Sequence, residues 1–361
     1  MATLLKASSE WASRPDDERF TSLTEMLRHF GNQRDHSRET VVSSRRIEAV
    51  PSEDHKSLLI VGDKGIEHAP THWSFGQLSQ LAEAPANYLR TLPAEISADC
   101  INYGLKHKRN IEDVGVLVYD EHSAELRAAT GPRYGRIWNS DIVGSMVRQF
   151  GDGVTGSWRV PGEFGKAVVV DKSNTTLYAS DRDMFVFLAD ETNRIEIPNR
   201  RNGSSGSLAR GFFVWNSEVG DKTFGLGTFL FDYVCMNRIV WGATEYSEIK
   251  IRHTVSAPDR WLGEILPALD AYSNSSVKSI TDGVAAAQAS RVDDVDEFLA
   301  KRFGKRLAPL LKMTHTAEEN RPIETLWDVT TAATAYARGI GRTDDRVAIE
   351  RIAGDVMALA A

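Results

Sequence analysis

The sequence predicts an α+β fold with a central antiparallel β-sheet, flanking helices and a helical C-terminal region. Three observations predict it. Between Leu177 and Ala243, short apolar runs rich in Phe, Val, Ile and Trp alternate with turn-forming residues, the pattern of strands joined by hairpins. From Pro258 onward the apolar residues recur at helical spacing. Strands and helices are grouped along the chain and do not alternate, which argues against a wound α/β sheet.

The chain divides into three regions: an arm with a short helix (1–70), an α+β core (71–257) and a helical region (258–361). In the first, Thr21 to Phe30 forms a helix with Leu23, Leu27 and Phe30 on one face, stopped by Gly31 and Asn32. The polar run 31–56 reads as a solvated arm. Its functional alternative is an arm that orders on a neighbouring subunit or on nucleic acid.

The core opens with helices. Ser74 and Gln77 stand at the spacing of a capping box. A second helix from Pro93 to Lys106 turns Ile96, Cys100 and Tyr103 inward, which makes Cys100 a small core residue. Its basic end complements the helix dipole; the sharper reading makes Lys106, Lys108 and Arg109 a phosphate-facing cluster. Residues 114–120 and 125–130 are paired strands, Gly131-Pro132 is a breaker, and Asn139 to Phe150 is a helix.

Gly151, Gly153 and Gly156 match G-x-G-x-x-G. A dinucleotide site needs a strand before that motif and a helix opening within it. Here a helix precedes, and the run into Pro161 cannot be a helix interior, so this is a glycine-rich loop. Residues 166–171 form a further strand. Met184–Asp190 and Arg194–Asn199 pair as a hairpin, and residues 199–210 are a loop of low order. The runs 210–218 and 223–243 supply the next strands, and 247–254 the last. The C-terminal helices show no sustained heptad and no repeat.

Hydrophobic content of 42% and charged content of 26% are those of a soluble globular protein. The net charge of -7 argues against a surface wrapped in basic charge, yet leaves room for a local basic groove. Two cysteines far apart, Cys100 and Cys235, fit a reducing cytoplasm and not a disulfide framework. No apolar run is long enough to span a membrane, and acids come too early for a secretion signal. The expectation is a cytoplasmic protein, in a bacterial host cell, with no membrane partner.

The runs LYASDRDMFVFLAD, RGFFVWNSEVG and YVCMNRIVWGA, followed by IRHT, resemble the phage/plasmid-like protein family of unknown function. The similarity lies in an R-G-F-x-V-x-N-S-E-x-G run, a C-x-N-x-hydrophobic run and a following His. WSFGQLSQLAEAPANYLRTLP and LWDVTTAATAYAR are similar as well, so the resemblance extends from about residue 70 to about residue 350. Met236-Asn237-Arg238 departs from it, because the family more often has Asn-Gly there and the glycine of a tight turn is lost. The resemblance implies no catalytic residues. It implies a context of mobile elements, beside recombination and single-strand-binding genes.

Candidate sites follow from residue type. Asp181, Asp183 and Glu218, near Asp190, offer oxygens of the kind that hold Mg²⁺; the plainer reading of Asp181 and Asp183 is a turn that caps a strand. Ser217 lies in N-S-E and not in G-x-S-x-G, and no histidines stand in H-E-x-x-H spacing. Arg194, Arg200, Arg201 and Arg210 surround one hairpin, with Phe213, Trp215 and Tyr233 on neighbouring strands and Arg252 and His253 at a strand end. Cations along a groove with aromatic faces suit sequence-tolerant single-strand binding. The plainer reading puts the aromatics in the core, the arginines in solvent and His253 in a structural role.

The expectation is a homo-oligomer that binds single-stranded DNA along the β-rich middle, without a cofactor, as an accessory to recombination, annealing or replication. Its arginines would neutralise phosphates and Trp215 would offer a stacking face. The alternatives are a Mg²⁺-dependent nucleic-acid enzyme at Asp181, Asp183 and Glu218, and a non-catalytic structural or interaction protein.

Overall fold

The computed structural model describes residues 15–62, 65–107, 113–121, 124–161, 169–173, 175–200, 204–232, 237–239, 248–338 and 343–360. The N-terminal part comprises β1 (Arg19–Phe20), α1 (Leu23–Asp35), β2 (Ser37–Ser43), β3 (Glu48–Pro51), β4 (Leu58–Val61), β5 (Glu67–Pro70), α2 (His72–Leu81), α3 (Ala86–Leu89) and α4 (Ala94–His107). Next come β6 (Asp113–Asp120), β7 (Ala124–Thr130), α5 (Asn139–Phe150), β8 (Trp158–Arg159), β9 (Leu177–Ala179), β10 (Met184–Asp190) and β11 (Ile195–Arg200). Then follow β12 (Ser204–Asn216), β13 (Phe224–Asp232), β14 (Asn237–Ile239) and β15 (Glu248–Ile251). The helices α6 (Ala257–Ser273), α7 (Lys278–Ala289), α8 (Val295–Phe303), α9 (Ala308–Glu319), α10 (Leu326–Arg338) and α11 (Thr343–Met357) complete the order. The class is α+β.

Among the described residues, nine strands form a large antiparallel sheet with the path β1-β9-β10-β12-β13-β14; β8, β11 and β15 pair with β10, β12 and β13. Six form a second sheet, β2-β6-β7-β5-β4-β3, in which only β5 and β7 run parallel. The large sheet is buried on both faces. One face carries Met184, Val186, Leu188, Phe212, Val214 and Leu226 against α1, α5 and α6. The other carries a layer of Phe185, Phe187, Phe213, Trp215 and Phe229.

Glycines make that aromatic layer possible. Register pairs Gly211 with Phe229, Phe213 with Gly227 and Trp215 with Gly225. A Cβ at Gly225 would stand 2.1 Å from the Trp215 ring, and one at Gly227 2.4 Å from that of Phe213. Each ring therefore lies flat across the backbone of the next strand, and Phe213 stacks between Phe187 and Trp215.

Helix α1 starts where Ser22 accepts from the Glu25 amide at 3.1 Å and the Glu25 carboxylate accepts from the Thr21 amide at 2.7 Å, a reciprocal cap. It does not stop at Gly31-Asn32. It runs on to Asp35 because its buried face, Leu23, Met26 and Phe30, packs on α5, and Arg34 Nη1 meets Asp141 Oδ1 at 2.5 Å. That packing outweighs the cost of about 1 kcal/mol for one helical glycine.

The expected solvated arm is not one. Residues 37–43 pair with β6 along their whole length, and 48–51 pair with β4. Charged, exposed Arg38 and Glu39 are what an edge strand carries, and that polarity hid the strand. Helix α4 is present but rotated from the expected phase. Ala94, Ser97, Ala98, Ile101 and Leu105 are buried, whereas Ile96 is 48% and Tyr103 68% exposed. The cap of α2 is Thr71, which accepts from the Ser74 amide at 3.2 Å; Gln77 instead reaches Val219 O at 2.7 Å and the Ala129 amide at 2.9 Å.

The predicted loop 199–210 becomes strand from Ser204 onward, and the predicted hairpin of 184–190 with 194–199 does not form: β11 pairs with residues 204–208 of β12 and β10 with residues 211–216 of the same strand, so both lie along one side of it. Of the predicted strand 166–171, residues 166–168 lie outside the described residues and 169–171 are irregular. The run from Trp261 to Ser290 breaks into α6 and α7. Helix α6 covers the large sheet through Trp261, Ile265, Leu269 and Tyr272. Helices α7 to α11 form a core of their own, joined to the end of the sheet through Ile195, Ile197, Leu208 and Leu230. Among the described residues no helix is long and apolar enough to cross a membrane.

Candidate functional site

Among the described residues, the expected groove is not formed. Trp215 is 2% exposed and Phe213 is fully buried in the aromatic layer, so neither offers a face to a base. Arg210 is buried. It lies 3.6 Å from Asp190 Oδ2 and donates to Ser275 O at 2.9 Å and Tyr272 O at 3.2 Å, which ties the sheet to the end of α6. Arg194 pairs with Glu191. Arg200 ends β11, and Arg201 and Tyr233 lie outside the described residues. Lys106 is exposed and 3.6 Å from Glu48; Lys108 and Arg109, like Cys235, lie outside the described residues.

The acids are engaged separately. Asp181 is exposed, Asp183 Oδ2 lies 2.7 Å from Lys222 Nζ, and Glu218 is clamped by Arg127 Nη2 at 3.0 Å and the Asn139 amide at 2.7 Å. Among the described residues, no group of three or more His, Cys, Asp or Glu is placed to hold a metal ion.

Asn216, Ser217, Glu218 and Val219 instead build a buried joint between the two sheets. Asn216 Nδ2 donates to Ile137 O at 2.8 Å and to Asn139 Oδ1 at 2.7 Å. Tyr134 Oη donates to Ser217 O at 2.7 Å, and Trp73 Nε1 to Val219 O at 3.0 Å. From the other side, the Gly135 amide donates to His253 O, and His253 Nδ1 donates to Gly135 O, both at 3.0 Å. The N-S-E run and the R-H pair thus converge on one segment, residues 131–138 between β7 and α5.

That segment, GPRYGRIW, lines a cavity of about 450 Å³ together with Arg34, Asp141, Glu39 and Trp261. Its floor is Arg136, whose side chain is 2% exposed. Arg136 Nη2 donates to Glu39 Oε1 at 2.8 Å, while Nε and Nη1 donate to no described atom. Its guanidinium carbon lies 5.3 Å from the centroid of Tyr134 and 5.8 Å from that of Trp138. Arg34 stands 5.2 Å from the same Trp138 ring, and exposed Arg133 adds a third cation at the rim.

Electrostatics follow from burial. The Tyr134 phenol is pushed above its ordinary range by desolvation, so it stays a donor. His253 is lowered to about 4, first by burial and then by the Arg136 charge. It is therefore neutral at pH 7, donates from Nδ1, and stacks on Tyr134 with centroids 4.7 Å apart. Arg252 beside it is exposed.

The buried guanidinium of Arg136 is a fixed positive charge offset in part by Glu39. The anion that suits such a charge is a phosphate or carboxylate, and the accessible cations at the mouth of the cavity are Arg34 and Arg133. The second cavity, about 370 Å³ on the smaller sheet, is lined chiefly by Val41, Val42, Ile60 and Val116. Its polar rim residues, Arg38 and His68, are both engaged on Asp120. The signal for the Arg136 cavity was present in the sequence as two arginines interleaved with two aromatics after the Gly131-Pro132 breaker.

Comparison with protein-family models, with curated proteins and with solved structures finds no match to this chain.

Proposed function

We infer that the chain binds single-stranded DNA at the Arg136 cavity, as an accessory to recombination, annealing or replication in a phage or plasmid. The observation that carries this reading is the gathering of Arg34, Arg133 and Arg136 about one cavity beside Trp138. Phosphate meets the accessible cations Arg34 and Arg133, with the fixed charge of Arg136 behind them, the electrostatic element of sequence-tolerant strand binding. The mobile-element context rests on the resemblance alone. A cavity of about 450 Å³ has room for one nucleotide or little more, so a strand is held by several copies side by side, which calls for an oligomer.

The acidic chain, with net charge -7, makes such binding modest and sensitive to salt. The test is fluorescence anisotropy of a labelled oligothymidine against the same length of duplex, at low and moderate salt, with and without Mg²⁺. Salt-dependent binding of the single strand, left intact, supports the reading. Equal or absent binding of both forms removes it, and cut strands redirect attention to Asp181.

A further inference from the structure

Two turns of the large sheet bring an amine and two carboxyls together. Asp183 lies just before β10, and Asp221 and Lys222 lie in the turn between β12 and β13. Lys222 Nζ stands 2.7 Å from Asp183 Oδ2 and 2.7 Å from Asp221 Oδ2. The side chains of Lys222, Asp183 and Asp221 are 3%, 0% and 12% exposed. The Phe185 ring lies 5.6 Å from the amine, and Ser180 Oγ donates to Asp183 Oδ1 at 2.8 Å. Ser217 Oγ donates to Arg182 O at 2.6 Å and pins the two turns against each other.

Such a group is costly as charges. Two carboxylates and one ammonium leave a net negative charge in apolar surroundings, and burial favours the neutral forms of both acid and amine. A neutral amine touching a neutral carboxyl, with a second carboxylate in reach to carry protons, is the composition an amide condensation requires. The other feature of this turn, its place across from Asp183 on a different strand pair, makes the product a cross-link and not a local ring.

We propose that Lys222 and Asp183 join in an intramolecular isopeptide bond. Nζ of neutral Lys222 attacks Cγ of protonated Asp183, and the N–C bond forms. The Asp221 carboxylate takes a proton from Nζ and gives it to Oδ2. The Cγ–Oδ2 bond breaks, Oδ2 leaves as water, and Oδ1 remains as the amide oxygen held by Ser180. One amine and one carboxylic acid become one amide and one water, with no oxidant or reductant. A neutral amide replaces the buried amine and acid, and the turn after β12 is tied covalently to the entry of β10.

The test is the intact mass of the soluble full chain under denaturing conditions, followed by tryptic mapping. The expected mass is that of the sequence less one water. The expected digest holds the peptide Asp183–Arg194 joined to Gly211–Arg238, with Lys222 uncut. Lys222→Arg should show the full sequence mass, and Asp221→Ala should leave most of the chain unlinked. Wild-type chain at full mass overturns the proposal without recourse to any variant, as does a lost water that maps to an unbranched peptide. Complete linkage in Asp221→Ala overturns the role given to Asp221.

Discussion

Acid should weaken the fold through His253 by an amount the geometry sets. In the folded chain this imidazole is neutral, mostly buried against Tyr134 and bonded to Gly135 O, and its pKa is lowered from 6.5 to about 4 by desolvation and by Arg136. The unfolded chain therefore binds the proton more tightly than the folded one. Stability from this group is fully present above the unfolded value and is lost as pH falls toward the folded value. Linkage across that interval gives a loss of about 2 kcal/mol between neutral pH and about pH 5, and about 3 kcal/mol once pH falls below about 4. His253→Gln keeps a donor for Gly135 O and removes the titration. Urea unfolding of both chains at neutral pH and near pH 5 isolates the difference, because other acid-sensitive groups such as buried His315 are common to both. If the variant loses as much stability as the wild type over that interval, His253 is not held neutral and the packing described for residues 131–138 is wrong.

Further outcomes follow from individual contacts. Gly225→Ala places a Cβ 2.1 Å from the Trp215 ring and should lower the urea midpoint by an equivalent of about 1–3 kcal/mol, the usual cost of overpacking. Glu218→Ala strands the buried guanidinium of Arg127 and the Asn139 amide; calorimetry should show a loss of about 3–5 kcal/mol, as for one partner removed from a buried pair. Arg210→Ala should destabilise the chain in the same assay, since Asp190 and two carbonyls lose their partner. The folded fraction should still bind an oligonucleotide with wild-type affinity; a flattened salt slope would restore the hairpin as the strand-binding surface.

The fold was legible where pattern and packing agree. The strand β11, the helix α5 and the helical C-terminal region carry periodicities that burial confirms, whereas the expected hairpin of β10 with β11 does not form, because the long strand β12 pairs with both. Phase was lost where small residues do the packing. In α4 the large side chains Ile96 and Tyr103 point to solvent, while Ala94, Ala98 and Ile101 face the sheet. Gly104 lets α4 approach the end of α2: a Cβ there would stand 2.1 Å from Ala82 O. Edge strand β2 was hidden by its charges, because only one neighbour and one face constrain it.

The site was less legible for a different reason. Aromatic residues near arginines suggested a groove at Trp215, but cross-strand glycines at 225 and 227 turn those rings into core. No local pattern announces that pairing; it appears only once β12 and β13 are in register. Arg136 is the converse. Nothing in its neighbours marks it as buried; the segment that carries it is held through Ile137, Asn139 and Gly135 by Asn216, Glu218 and His253, which lie about 80 to about 120 residues further along the chain.

Whether the charge of Arg136 draws phosphate to its cavity is decided by one comparison. Wild-type chain and Arg136→Met are titrated against a labelled oligothymidine over a range of salt, with unfolding midpoints measured in parallel. The predicted result is a folded variant whose affinity falls about tenfold or more and whose slope of log affinity against log salt becomes shallower by about one phosphate contact. A folded variant with unchanged affinity and slope would contradict the account and leave the cavity without a role in strand binding.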